Sequence, residues 1–284
     1  MPPVTPIVKY LLILNALVFA IVYLPGEMGY EFNIADELAM YYPGGKNFRP
    51  YQVVSHFFMH ANVTHIAFNM LSLFFLGPIV ESRLGGSRFL ALYLFAALGA
   101  VFLHCAHVWY EIDGYEQLAA VFSTDPTLAN LNAFFSSVPT ENLREEGKSL
   151  SELIGNLQNQ FSMDQAGSKE IGESTFLMNG YIEYLTNANS MVGASGAVSG
   201  VAAAFAVLFP WQKLQILFIP IGIYAAYLIP AFFLIDLVLG IVRFDFDNIA
   251  HFAHVGGAIA GAALAYYFAK TTLPPWLNRR DPGA

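Results

Sequence analysis

Residues 191–210 read MVGASGAVSGVAAAFAVLFP, a run without a single charged side chain. A helix that crosses a bilayer needs roughly 20 mostly apolar residues, so this run predicts a membrane span. Gly196, Gly200 and Ala204 recur at every fourth position. That spacing places them on one smooth helix face, where a second helix can approach closely. At the head of the run, Ser195 stands among small residues in Gly193-Ala194-Ser195-Gly196.

Five further apolar segments lie on either side, at about 7–24, 52–77, 88–109, 214–241 and 249–269. Composition agrees with this pattern: 56% of the residues are apolar and 12% are charged, against about 25% charged in soluble domains. The expected fold class is therefore an all-α polytopic membrane protein with six transmembrane helices. Its order divides the chain into residues 1–109 with three helices, an insert over 110–190, residues 191–270 with three more, and a tail over 271–284. Lys9 precedes the apolar stretch Tyr10–Leu24, and no small-residue cleavage motif follows it. The first segment is thus expected to stay attached as a span.

The net charge of −8 argues against a nucleic-acid partner; membrane lipid is the expected surrounding. Cys105 is the one cysteine, so an intramolecular disulfide or a thiolate metal site cannot be built. The insert carries 12 acidic residues against three basic ones. Leu150, Leu153, Ile154, Leu157 and Phe161 recur there at helical spacing and predict an amphipathic helix, and Leu128, Leu131 and Phe135 predict a shorter one before it. The loop from Pro25 to Pro50 is rich in turn formers and holds Phe32, Tyr41, Tyr42 and Phe48, aromatic residues suited to the membrane interface. With six crossings, Lys9, Arg83, Arg88, Lys213, Lys270, Arg279 and Arg280 fall on one side. This predicts cytoplasmic termini and an extracytoplasmic insert, although Lys46 and Arg49 on the other side soften the bias.

Nucleophilic or ionisable side chains inside spans are costly, so each is a candidate functional site. Ser195 is the first. Small neighbours leave room for a substrate backbone, and unpaired N–H groups at a helix start can stabilise an oxyanion; ordinary serine packing is the competing reading. His254 is the second, in Ala253-His254-Val255-Gly256-Gly257. Gly257 and Gly261 continue its helix with a smooth face, and a histidine near neutrality can activate a serine. His251, one turn earlier, competes for that role or serves as a structural hydrogen-bonder. The third site holds His60, His65 and Asn69. His65 and Asn69 share a helix face and offer two N–H donors, while His60 is expected to bond the first loop. Interhelical polar contacts are the alternative for each. Ser199 is read as packing, with a second candidate nucleophile as the alternative. Asp236 is read most simply as a helix–helix hydrogen bond, with a functional carboxylate as the alternative, and His104 and His107 as interfacial. His56 and His60 have metal-pair spacing, but a His-Glu-x-x-His motif and a third ligand are lacking, so no metal is expected. Without an internal repeat, a transporter is disfavoured.

Taken together, His60-x4-His65-x3-Asn69, Gly193-Ala194-Ser195-Gly196 and Ala253-His254-x2-Gly257 resemble the rhomboid proteases. Glu81, Arg83, Leu84 and Gly85 resemble that family's short cytoplasmic turn. The resemblance covers about 200 residues and omits the insert. It implies a six-helix bundle with a water-filled cavity open to the outside, and a Ser–His dyad with no third acidic residue, acting through an acyl-enzyme; it lends no support to Asp236 as a third triad member. Ser195 would be the nucleophile and His254 the base, with His65, Asn69 and the Ser195 N–H holding the oxyanion. Gly193, Gly196, Gly257 and His60 would support them. Transmembrane protein substrates are implied and no cofactor is. The sequence departs from the family in three ways. Ser199 stands where a bulky aromatic commonly stacks on the base, Tyr51-Gln52 stands where Trp-Arg is common, and the insert is far longer than usual, which suits a gate or substrate selector. A catalytically inactive rhomboid-like protein that binds transmembrane helices is the main rival. A bacterial inner membrane is the expected location, and the oligomeric state is left open.

Overall fold

The computed structural model describes residues 3–27, 34–136, 138, 144–145, 148–163, 165–215, 221–242 and 249–271. Phe32, Arg279, Arg280 and the tail after Thr271 lie outside the described residues. The helices are α1 (Pro6–Glu27), α2 (Ile34–Leu38), α3 (Gln52–Ser55), α4 (Val63–Leu84), α5 (Gly86–Thr124) and α6 (Leu128–Phe135). They continue with α7 (Leu150–Ser162), α8 (Ser168–Ala188), α9 (Ser195–Leu208), α10 (Ala225–Val242) and α11 (His251–Thr271). Three short antiparallel ladders join β1 (Met40–Tyr41) to β4 (Ser190–Met191), β2 (Arg144–Glu145) to β3 (Lys148–Ser149), and β5 (Lys213–Gln215) to β6 (Gly222–Tyr224). The molecule is an all-α polytopic membrane protein. Among the described residues, α1, α4, α5, α10 and α11 are long and apolar enough to cross a membrane.

Several boundaries differ from those drawn on the sequence. The second segment does not run as one helix from residue 52: Gln52–Ser55 and a 3-10 turn at His56–Phe58 precede it. The long helix starts only after Asn62, whose side chain accepts the His65 N–H at 2.8 Å as an N-cap. The third segment extends past residue 109 to Thr124. Polarity changes at Tyr110, but no glycine or proline breaks the helix there, and Ile112, Tyr115 and Phe122 are buried farther on. The fourth segment begins at Ser195, because Ser190–Met191 is drawn into the ladder with β1. The fifth begins at Ala225, after the hairpin of β5 and β6.

The chain forms two compact units. One holds Met1–Pro43, Phe48–Cys105 and Ser190–Ala284; the other holds Gly44–Asn47 and Ala106–Asn189. In the second unit, Phe122, Leu131 and Phe134 share a core with Leu150, Ile154, Leu157, Met178 and Tyr181. The amphipathic helix expected there is α7, N-capped by the Ser149 side chain on the Glu152 N–H at 3.2 Å. The helix α8 has no strong apolar periodicity in the sequence and escaped that reading.

In the first unit, α9 packs against α4, α10 and α11, and α1 packs against α4. Glu81, in the last turn of α4, is buried and accepts the backbone N–H groups of Ile7 at 3.1 Å and Val8 at 2.9 Å, together with the Thr5 hydroxyl. N–H groups at a helix start have no partner within the helix, and the helix dipole favours a negative charge there. Glu81 thus caps α1 from another helix. Replacing Glu81 by Ala is expected to cost about 2 kcal/mol or more, since buried donors lose their acceptor. Thermal unfolding in detergent would read this, with Glu81→Gln losing less.

Candidate active site

Ser195 is the first residue of α9, and the loop before it is held at three points. Met40 pairs with Met191 and Tyr41 with Ser190. The Gly193 N–H donates to the His56 carbonyl at 2.9 Å. Gly193 itself has φ +121°, a conformation that side chains disfavour. A Cβ there would also lie 2.8 Å from His65 Nε2 and 3.6 Å from Ser195 Oγ. The His65 ring and the serine hydroxyl therefore lie over the same bare glycine.

The first intrahelical bond of α9 runs from the Val198 N–H to the Ala194 carbonyl at 2.9 Å. The N–H groups of Ser195, Gly196 and Ala197 consequently have no acceptor within the helix. Just before α4, the Ala61 N–H makes a long 3.5 Å contact with Nδ1 of His65 in the helix's first turn. A ring whose Nδ1 accepts carries its proton on Nε2, the nitrogen that lies over Gly193. Asn69 is buried one turn on, and its amide donates to the His65 carbonyl at 3.1 Å. That bond uses one of two amide hydrogens.

His60 behaves differently from its sequence expectation. Among the described residues neither ring nitrogen has a hydrogen-bond partner, and the ring packs edge-on against His65 at 5.2 Å and against Phe19 at 6.5 Å between centroids. It supports the His65 ring by packing rather than by bonding the first loop. The loop is anchored instead by Gln52, which is 1% exposed. Its carbonyl oxygen accepts the Arg49 N–H at 2.9 Å, and its amide donates to the Glu37 carbonyl at 3.1 Å. Ser55 adds a bond to the Leu38 carbonyl at 2.8 Å.

His254 approaches from α11. The two helices meet through glycine: a Cβ on Gly257 would lie 2.0 Å from the Gly196 carbonyl oxygen, and one on Gly261 would lie 2.4 Å from Gly200 Cα. Ser195 and His254 sit beside this contact, both partly exposed. Ser195 and His254 form no hydrogen bond with each other; such bonds commonly tighten only when substrate binds. His254 Nδ1 lies 2.9 Å from Asp236 Oδ2, while His251 Nδ1 contacts Asp236 Oδ1. Among the described residues no aromatic ring stacks on His254. Sequence reasoning took Asp236 chiefly as a helix–helix hydrogen bond without naming its partners, and missed the anchoring by Gln52. The signal for the first was an intramembrane carboxylate in a chain with two histidines on the next helix.

Buried histidines, a bare glycine under a serine and glycine-packed spanning helices define a polytopic membrane protein with a polar centre inside its bundle. The profile of the rhomboid domain matches residues 47–112 and 163–271, more than half of the chain. The chain belongs to the rhomboid family. It is 31% identical over 88 residues to YdcA of Bacillus subtilis (strain 168), whose name calls it a rhomboid protease; the match covers 31% of this chain and 43% of that one. It is 28% identical over 120 residues to rhomboid protease GlpG of Yersinia pestis (strain Pestoides F), covering 39% of this chain and 42% of that one. The GlpG of Yersinia pseudotuberculosis serotype O:3 (strain YPIII) matches with the same figures. The chain thus spans less than half the length of these relatives.

Two outcomes follow from the geometry. Gly193→Ala would push a methyl group into the His65 ring and strain the backbone. Displacements of about 1 Å can cost roughly 100-fold in rate, so a loss of that order is expected in any assay of Ser195 reactivity, with folding retained by circular dichroism. Burial pushes His56 down to about 4, and burial with the neighbouring His65 does the same to His60. Both lie below the ordinary histidine value of 6.5, so the unfolded chain takes up protons first. Thermal stability is expected to hold above pH 6.5 and to fall as pH drops toward 4. His60→Phe should flatten part of that slope.

Proposed function

We propose that the chain is an intramembrane serine endopeptidase that cleaves transmembrane segments of other membrane proteins. Ser195 is the nucleophile and His254 the general base. The observation that supports this reading is the backbone contact of α9 and α11 at Gly196 and Gly257, next to Ser195 on one helix and three residues after His254 on the other. Membership of the rhomboid family and the names of the relatives support it.

In the reaction, Ser195 Oγ attacks the scissile carbonyl while its proton passes to His254 Nε2. The tetrahedral oxyanion accepts hydrogen bonds from His65 Nε2–H, the Asn69 amide and the Ser195 N–H. His254 then gives its proton to the leaving amine, and the C–N bond breaks to leave an acyl-enzyme. Water, deprotonated by His254, hydrolyses the ester and returns Ser195. The scheme uses side chains and backbone groups of this chain and needs no cofactor.

Helix length supports a site sunk in the membrane. The helix α9 has 14 residues, about 21 Å at 1.5 Å per residue, against a hydrocarbon core of about 30 Å. With its far end at one surface, its serine end stops short of the other. The proposed setting is a bacterial inner membrane, with both termini cytoplasmic and the 110–190 insert outside.

The test is cleavage of a panel of model transmembrane substrates in proteoliposomes, with Ser195→Ala and His254→Ala beside the parent. Cleavage by the parent is expected, with a loss of at least about 1,000-fold in each variant. A fluorophosphonate probe should label the parent at Ser195. Well-folded parent protein that neither cleaves nor labels would overturn the reading. Cleavage that survives Ser195→Ala but not Ser199→Ala would move the nucleophile by one turn.

A further inference from the structure

We infer that Asp236 is a positioning residue for the general base: it holds the His254 ring through Nδ1 and is itself held by His251. This rests on the proposed role of His254 and goes beyond the Ser–His dyad that the family resemblance implies.

The carboxylate of Asp236 on α10 meets two rings of α11 at once. Oδ2 lies 2.9 Å from His254 Nδ1, and Oδ1 contacts His251 Nδ1. The Asp236 side chain is 19% exposed, that of His254 21% and that of His251 only 7%. A carboxylate accepts and a neutral imidazole donates from one nitrogen only. The arrangement therefore puts the His254 proton on Nδ1 and leaves the Nε2 lone pair free. That is the tautomer able to take the Ser195 proton. In the opposite tautomer, Nε2 already carries a hydrogen and Nδ1 sets a lone pair against the carboxylate.

His251 has a separate part in this. A carboxylate held at one oxygen can swing about its Cβ–Cγ bond. With the second oxygen on a buried ring, the plane of the carboxylate is set, and with it the ring of His254. During the proton transfer from Ser195, His254 becomes an imidazolium beside an anion that stays ionised. The proton on Nδ1 does not move to Asp236.

The position of Ser199 fits the same picture. It lies one turn after Ser195, where an aromatic side chain could stack on the base. Among the described residues no ring takes that part. The histidine is held from the α10 side, by a bond rather than by a stacked face.

The experiment compares the parent with Asp236→Asn, Asp236→Glu and His251→Gln in proteoliposomes, reading kcat and KM separately along with thermal stability. A second readout is the nitrogen-15 spectrum of histidine-labelled protein, with His254→Ala to assign the resonance. Asp236→Asn is expected to lower kcat about 100-fold or more, as loss of the right tautomer does in other serine proteases, with KM within about twofold. Asp236→Glu should recover part of the loss, and His251→Gln should fall between parent and Asp236→Asn. The parent spectrum should show His254 protonated on Nδ1, and Asp236→Asn should lose that preference.

A variant with lowered thermal stability but unchanged kcat and unchanged tautomer would overturn the inference, leaving Asp236 as a helix tie. If Asp236→Asn does not fold, the parent spectrum decides: protonation on Nε2 refutes the inference and on Nδ1 supports it. A parent that cleaves nothing, yet whose His254 tautomer depends on Asp236, would sink the protease reading while the positioning role stands.

Discussion

Everything at the centre of this molecule depends on how closely three helices meet. Against α9, a side chain at Gly257 or Gly261 of α11 would run into the backbone of Gly196 or Gly200. Against α5, Gly196 and Gly200 face the methyl groups of Ala100 and Ala96, and Gly256 faces the Gly99 carbonyl. In lipid, apolar side chains gain little by leaving one hydrocarbon for another, so association rests on van der Waals packing. Backbones in contact maximise that packing. They also remove slack: elements locked at these distances cannot slide without collision. A serine and a histidine flanking such a seam are positioned by main chain rather than by flexible side-chain contacts. Preorganisation of that kind is what catalysis by positioning requires.

The second constraint is the accounting of polar groups. Irregular backbone within a membrane protein must find partners in the protein, and the loop before Ser195 does so with the first loop. The β1–β4 ladder and the bond from Gly193 to the His56 carbonyl tie the two together. The first loop in turn hangs on Gln52, a neutral amide that bonds the backbone of Tyr41, Arg49 and Glu37 where relatives of this family commonly place a Trp-Arg pair. A buried amide can accept and donate at once, without the desolvation cost of a guanidinium. The departure at Tyr51-Gln52 therefore has its physical answer in the bonding capacity of one side chain.

How much of this was legible beforehand follows the kind of signal each feature leaves. The spanning helices, the paired small-residue faces and the histidine-rich start of α4 are local patterns of period about 3.6, and the sequence carries them openly. The ends of helices are less visible. Met191 and Val192 are as apolar as the helix that follows, yet they lie outside α9 because Met40, some 150 residues away, pairs with Met191. Tyr110 marks a change in polarity but not in backbone conformation, so α5 runs on to Thr124. Glu81 was legible as part of a turn, but its role as the cap of α1 depends on a contact with residues 74 and 73 positions earlier in the chain. His60 shows the same limit: its type was noticed, and its partner could not be inferred from spacing.

Asp236 brings these threads together. An ionised carboxylate within a spanning helix is costly unless polar partners surround it. One histidine would leave half of its lone pairs unused, whereas two rings from a single turn of α11 engage both oxygens. Spacing makes this possible, since residues three apart on a helix face the same way, and His251 and His254 are three apart. Gly240 on α10 contributes by lying against the Cβ of His251 and the ring of Phe252, which lets the first turn of α11 settle close to α10. The same helix therefore uses two opposed devices. Its Gly257–Gly261 face is stripped of side chains to reach α9, and its His251–His254 pair supplies polar groups to reach α10. A lone aromatic stacked on His254 would orient the ring by shape; a carboxylate bonded to Nδ1 orients it and also selects which nitrogen holds the proton. The small side chain of Ser199 is compatible with that arrangement, because the ring has its anchor on the other side.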